Sequence, residues 1–250
     1  LGAAALPPKI TSKGADYVIN ALKNPEKRFR LIKMLDGTIP SNFDNWIRYN
    51  GYDGVIIAGV YSEKNKFVEG KTVTEISKIL DKSPADTILD LIIEDTLESK
   101  SPFSISCIVY WSNDDICARI LEDDYFGVGT DALLIDGNPH PRCYGTFPRV
   151  LHNFVNQRKT ITLEKAIQKM TSLAARVIGV SDRGILNPGY YADIVVFDAD
   201  NIQDNATYVN PRQYSSGIKY VIVNGQVVVE EGQHTGALPG KTIRRKWANA

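Results

Sequence analysis

Cysteine, histidine and methionine are scarce in this chain: its 250 residues include three cysteines, three histidines and two methionines. Cys107, Cys117 and Cys143 form no CxxC pair, and their odd number argues against a disulfide framework. The histidines, His140, His152 and His234, are scattered, so neither HxH nor HExxH occurs and no Cys/His pair stands at ligand spacing. Spacing therefore shows no metal site within the chain. A GxSxG elbow, a GxxxxGK[ST] loop and a GxGxxG turn are also absent, which removes the nucleophile elbow, the P-loop and the dinucleotide fingerprint. No apolar run approaches the roughly 20 residues of a membrane-spanning helix. Lys+Arg equals Asp+Glu at 29 each, so no long-range field favours nucleic acid or an anionic membrane as partner. The opening LGAAALPPK lacks the charged start and longer apolar core of a secretory leader, and with the unpaired cysteines this sets the expectation of a cytoplasmic protein. Residue 1 is Leu and the first methionine is Met34, from which we expect part of a longer protein.

What is present divides into three stretches. Residues 1–100 read mostly as helices with good start signals. Asn24-Pro25 opens a helix with Phe29, Ile32 and Leu35 apolar, ending at Gly37. Thr72 with Glu75 makes a capping box, followed by Val73, Ile76, Ile79 and Leu80 at helical spacing. Ser83-Pro84 opens another helix, and the apolar run Gly54–Gly59 suits a strand buried on both faces. Over 101–184 the rhythm becomes strand and helix in alternation. Ile105–Tyr110 predicts a strand, Ser112 with Asp115 caps a helix, Tyr125–Gly129 predicts a second strand, and Thr162 opens an amphipathic helix. Such βαβα order implies a parallel α/β sheet or barrel. Over 185–250 the pattern turns to β. Asn224-Gly225 between two β-branched runs predicts a two-residue hairpin over Tyr220–Val229. No internal repeat is present.

The densest chemistry lies in Gly129–Arg149, GTDALLIDGNPHPRCYGTFPR. Asp131 falls where the expected strand ends, the place where barrel enzymes carry catalytic groups. It is open to three roles: general base, metal ligand, or structural cap of the following loop. Arg142 and Arg149 offer planar forks that match a carboxylate, or an internal partner such as Asp136. His140, bracketed by Pro139 and Pro141, reads more simply as a loop-orienting residue than as a ligand. Cys143 beside Arg142 has no companion base in view.

Several segments together resemble the N-acyl-D-amino-acid deacylases (D-aminoacylases) of the amidohydrolase superfamily, in their C-terminal half. They are LPPK at 6–9, GKTVTEI at 70–76, GTDA at 129–132, HPRCYGTFPRVL at 140–151, EKAIQKMTSLAARVIGV at 164–180, DRGILNPGYYADIVVFD at 182–198 and YVIVNGQVVVEEGQHTGALPG at 220–240. The resemblance implies a zinc-dependent hydrolase built on a (β/α)8 barrel, with a small β-sandwich made from both chain ends. It implies removal of the acyl group from a small-molecule N-acyl-D-amino acid. Asp131 falls on the family's catalytic aspartate, which accepts a proton from the attacking water and passes it to the leaving nitrogen. Arg142, with His140 in the same HPR run, is placed for substrate binding: Arg142 holds the substrate carboxylate or braces the loop. Residues 1–100 correspond to a helical insertion, a lid with a barrel segment; 101–184 to the last barrel strands and helices with the catalytic loop; and 185–250 to the C-terminal portion of the β-sandwich.

The family's zinc ligands, an HxH among them, belong to an N-terminal half that this sequence does not match. Asp131 is the one candidate ligand here. The expectation is a chain inactive alone, whose partner is the complementary N-terminal half of the same enzyme. Two other readings stand beside this one. A dihydroorotase- or hydantoinase-like cyclic amidase is disfavoured by GTFPR at 145–149 and by the long helical insertion. The other is a non-catalytic fragment or scaffold subunit.

Overall fold

The computed structural model describes residues 1–110 and 112–244, which form two compact units. The first comprises Leu1–Ser112 with Leu133–His140, and the second comprises Asn113–Ala132 with the residues from Pro141 onward.

Local capping chemistry starts the helices of the first unit. The Asn24 side chain accepts from the Lys27 amide at 3.0 Å and opens Pro25–Leu35. Thr72 accepts from the Glu75 amide at 3.2 Å while the Glu75 carboxylate accepts from the Thr72 amide at 2.8 Å, which opens Val73–Leu80. Ser83 caps Pro84–Ser99, whose buried residues Ile88, Leu89, Leu91 and Ile92 join the main core. The buried carboxylate of Asp95 on this helix accepts from the amides of Tyr61 and Ser62, both at 2.8 Å, and from the Ser104 hydroxyl.

Strand β1, Val55–Gly59, pairs with β2, Ser106–Val109. The period of two sends Val55 and Ile57 into the main core. Ile56 and Ala58 go to the opposite face, where Ile108 and Ile135 cover them. This is the doubly buried strand expected from its apolar run. Ile135 is why Leu133–His140 belongs to this unit, and the Asn138 amide donates to the Ala58 carbonyl at 2.5 Å.

The parallel arrangement expected over 101–184 is not formed among the described residues: of its two expected strands only β2 forms, and it pairs antiparallel with β1. Between β1 and β2 run a short 3-10 helix, Glu63–Val68, and the helices Val73–Leu80 and Pro84–Ser99. The expected strand at Tyr125–Gly129 is absent. A strand needs neighbours for its amides and carbonyls. Here the Val128 amide finds only the Lys169 carbonyl, at 3.4 Å.

In the second unit, Asn113 rather than Ser112 caps the helix Asp114–Glu122, its side chain accepting from the amides of Asp115 and Ile116. Helix Arg142–Arg149 carries Pro148 near its end. Proline has no amide hydrogen, so the Tyr144 carbonyl four residues back loses its helical donor. Ser215 Oγ donates to that carbonyl at 3.1 Å, and beyond the proline the backbone widens into a π-type stretch, Val150–Gln157. Leu121, Val150, Leu151, Phe154, Val155, Ile161, Ala166 and Ile202 form the core. An antiparallel sheet follows in the order β3 (Ile194–Phe197), β4 (Ile218–Val223), β5 (Gln226–Glu230) and β6 (Gln233–His234). The β4–β5 turn is the expected hairpin, with Asn224 at φ +50° and Gly225 at φ +79°. No strand residue of this sheet is buried, although antiparallel sheets ordinarily cover one face. No helix among the described residues is long and apolar enough to cross a membrane.

Candidate active site

The loop singled out by its sequence is assembled around an ion pair. Asp131 sits at φ +45°, a left-handed conformation that short polar side chains tolerate better than most. Its carboxylate lies 2.7 Å from Arg142 Nη2. Both residues belong to the second unit, on either side of the chain's excursion into the first. Arg142 is the first residue of helix Arg142–Arg149, and ten residues of loop separate it from Asp131. The Asp131 side chain is 89% exposed and that of Arg142 38%. An ion pair this open to water contributes about 0.2–1 kcal/mol, so a competing carboxylate can displace it. The arrangement offers a carboxylate that accepts protons and a guanidinium fork that binds an anion.

His140 falls on the other side of the unit boundary: it closes Leu133–His140 in the first unit and is half-buried. Arg149, the second arginine of the loop, is committed to acids of its own unit. Its guanidinium meets Asp114 at 3.0 Å and Asp204 at 3.3 Å, and Asn153 also donates to Asp114. Burial opposes ionisation of Asp114, but the bonds from Arg149 and Asn153 outweigh it and hold the carboxyl below its usual range. Of the two readings of Arg149, the internal ion pair is the one seen, with Asp114 and Asp204 as the acids in place of Asp136. Cys143 is half-buried and takes part in no disulfide. His152 shares a 2.9 Å contact with the Gln157 side-chain nitrogen, and His234 Nδ1 accepts from the Gly236 amide.

Sequence reading missed Lys169. This residue is 1% exposed on helix Leu163–Met170, and its ammonium donates to the carbonyls of Asp123 and Phe126. The available signal was its place three residues after Ala166, on the helix face that turns inward. Among the described residues no group of three or more His, Cys, Asp or Glu side chains is placed to hold a metal ion. The residues present therefore do not fit a zinc site by themselves.

Comparison with known proteins gives this geometry a context. Residues 112–229 match the amidohydrolase family. The chain is 46% identical over 127 residues to N-acyl-D-glutamate deacylase of Alcaligenes xylosoxydans xylosoxydans, covering 51% of this chain and 26% of that protein. It is 34% identical over 197 residues to D-aminoacylase of the same organism, covering 77% of this chain and 38% of that one. It also resembles the solved structure of N-acyl-D-glutamate deacylase from Bordetella bronchiseptica, complexed with zinc and a phosphonate mimic of the tetrahedral intermediate. The TM-score there is 0.64 at 33% identity, covering 73% of this chain and 36% of that one. The chain thus spans about a quarter to two fifths of the length of the curated relatives it matches. The loop that pairs Asp131 with Arg142 lies inside the matched region, and the chain is similar over that region to the N-acyl-D-amino-acid deacylases of the amidohydrolase family.

Proposed function

We propose that this chain supplies the proton-handling loop of an enzyme that hydrolyses N-acyl-D-amino acids to a D-amino acid and a carboxylate. The observation that carries this reading is the Asp131–Arg142 pair, an accessible base beside an anion-binding fork in a chain whose relatives are named deacylases. In the proposed reaction water adds to the acyl carbon and Asp131 accepts its proton. The same proton passes to the amide nitrogen as the C–N bond breaks, so the carboxylate returns to its starting state. Arg142 meets the substrate carboxylate once that anion displaces Asp131.

The relatives' zinc implies a metal whose ligands lie in the part of the deacylase fold that this chain does not match. We read 1–100 as a lid and barrel segment, 101–184 as the last part of a (β/α)8 barrel, and 185–250 as part of a β-sandwich. Tyr125–Gly129 then becomes a strand only when neighbouring strands are supplied. The sheet without a buried residue finds its cover in the same complementary part.

The test is to supply this chain with the complementary part of a deacylase and measure release of free D-amino acid. Hydrolysis of N-acyl-D-glutamate or a neutral N-acyl-D-amino acid, with the L forms unreactive, is the expected result. Faster opening of a cyclic amide than of any linear substrate would overturn the assignment.

A further inference from the structure

We propose that Lys169 is the positioning residue for Asp131, fixing from beneath the segment that leads to it. The proposal rests on the reading of Asp131 as proton acceptor, but the bonds themselves are independent of that reading. Among the described residues Lys169 is the largest fully buried side chain, at 1% exposure. Taking an ammonium out of water costs several kcal/mol unless its donors are satisfied, which is why lysine is rarely fully buried. Among the described residues no carboxylate lies within ion-pair distance of it. Its Nζ instead donates to two backbone carbonyls, those of Asp123 and Phe126, the latter at 2.8 Å.

The segment answers through its own backbone, since the Val128 amide donates to the Lys169 carbonyl at 3.4 Å. A Cβ on Gly127 would stand 3.4 Å from that same carbonyl oxygen, so the two backbones run close. One residue therefore holds the chain at Asp123, Phe126 and Val128, in a stretch with no strand partner. Asp131 follows three residues after the last of these points. Lys165, one turn earlier on the helix, adds an ion pair to Asp124 at 2.5 Å and a bond to the Glu122 carbonyl at 3.0 Å. Desolvation holds the Lys169 ammonium below its ordinary pKa, with Lys165 adding to the effect. Leucine or methionine would suit the burial better, but either would abandon both carbonyls. A cation here is explained by what it holds.

A lysine that only stabilised the unit would affect melting and leave turnover alone, so the test reads both. Chymotrypsin nicking of the 250-residue chain after Tyr125 and Phe126, which are 92% and 52% exposed, reports release of the segment directly. Lys169→Met should speed nicking there by about tenfold or more, while nicking after Tyr49 in the first unit stays unchanged. In the deacylation-competent protein, Lys169→Met should lower kcat on the order of 100-fold with KM within about twofold. Ile161→Ala, a truncation in the same core that lowers the melting temperature, should leave kcat largely intact. Unchanged nicking, or equal kcat losses in variants matched for melting temperature, would overturn the proposal. Should Lys169→Met fail to fold, Lys169→Arg, which keeps charge and donors on a longer stem, should give an intermediate nicking rate. If the unmutated protein deacylates nothing, the functional reading fails, and the nicking rates alone decide whether Lys169 holds the segment.

Discussion

Asparagine at position 131 keeps the size of the aspartate and its tolerance of a left-handed backbone, but removes the charge. The structure sets the two consequences apart. For stability, the lost contact is a 2.7 Å ion pair whose partners are 89% and 38% exposed. Water screens such a pair to about 0.2–1 kcal/mol. For a domain of this size 1 kcal/mol moves Tm by about 2–4 °C, so Asp131→Asn should melt within about 4 °C of the parent. The φ of +45° adds no new strain, since asparagine occupies that region at least as readily. For turnover, the amide cannot take a proton from water. Loss of a positioned general base costs about 10²–10⁴ in rate, or roughly 3–5 kcal/mol of barrier. The assay is kcat on an N-acyl-D-amino acid with the complementary part of the enzyme present, beside a calorimetric melt of the same preparation. Turnover within about fivefold of the parent would refute the role of Asp131. A loss of Tm far above 4 °C would instead refute the claim that its ion pair is solvent-screened.

Arg142→Met should raise KM for substrates that carry a free carboxylate by about tenfold or more and leave N-acyl amines unaffected; equal effects on both, in steady-state kinetics, would assign Arg142 to bracing the loop alone. The Asp114 carboxyl lies below its ordinary 3.8 in the folded protein because the bonds from Arg149 and Asn153 outweigh burial. Its stabilisation is therefore complete above the unfolded value and is lost as pH falls through the folded one. Arg149→Met should flatten the decline in Tm below pH 4, and an unchanged acid limb would count against the network. Gly217 sits at φ +86°, and a Cβ there would lie 2.7 Å from Ile202 Cα and 2.9 Å from the Asn201 carbonyl oxygen. Gly217→Ala should cost about 2–4 kcal/mol in urea unfolding, from backbone strain and overpacking together; a loss under about 0.5 kcal/mol would contradict the geometry.

Several features of the site were legible before any coordinates. Asp131 and Arg142 were singled out by residue type and by their place in a dense polar loop, and the structure brings them into one ion pair. The same loop placed His140 beside them in sequence, yet Ile135 and Asn138 carry its middle onto β1, so His140 belongs to the other unit. Arg149 looked equivalent to Arg142, but its partners, Asp114 and Asp204, stand 35 and 55 residues away and no spacing announces them. Lys169 read as one more polar residue of an amphipathic helix, because the carbonyls it serves lie 43 and 46 residues earlier.

By itself, then, the sequence determined what forms within a few residues. The caps of Asn24, Thr72, Ser83 and Thr162 and the Asn224-Gly225 turn follow from side-chain donors and backbone preferences that each segment carries with it. Tertiary structure decided what depends on a distant partner. Strand β2 took the distant β1 as its antiparallel partner, and Tyr125–Gly129 stayed out of strand form for want of a neighbour. In the sheet from β3 to β6, Phe197 and Ile218 pack against the core, yet no strand residue is fully buried. The physical reason is that a cap closes its own hydrogen bonds, whereas a strand, a buried ammonium and an ion pair each leave half of theirs to a segment dozens of residues away.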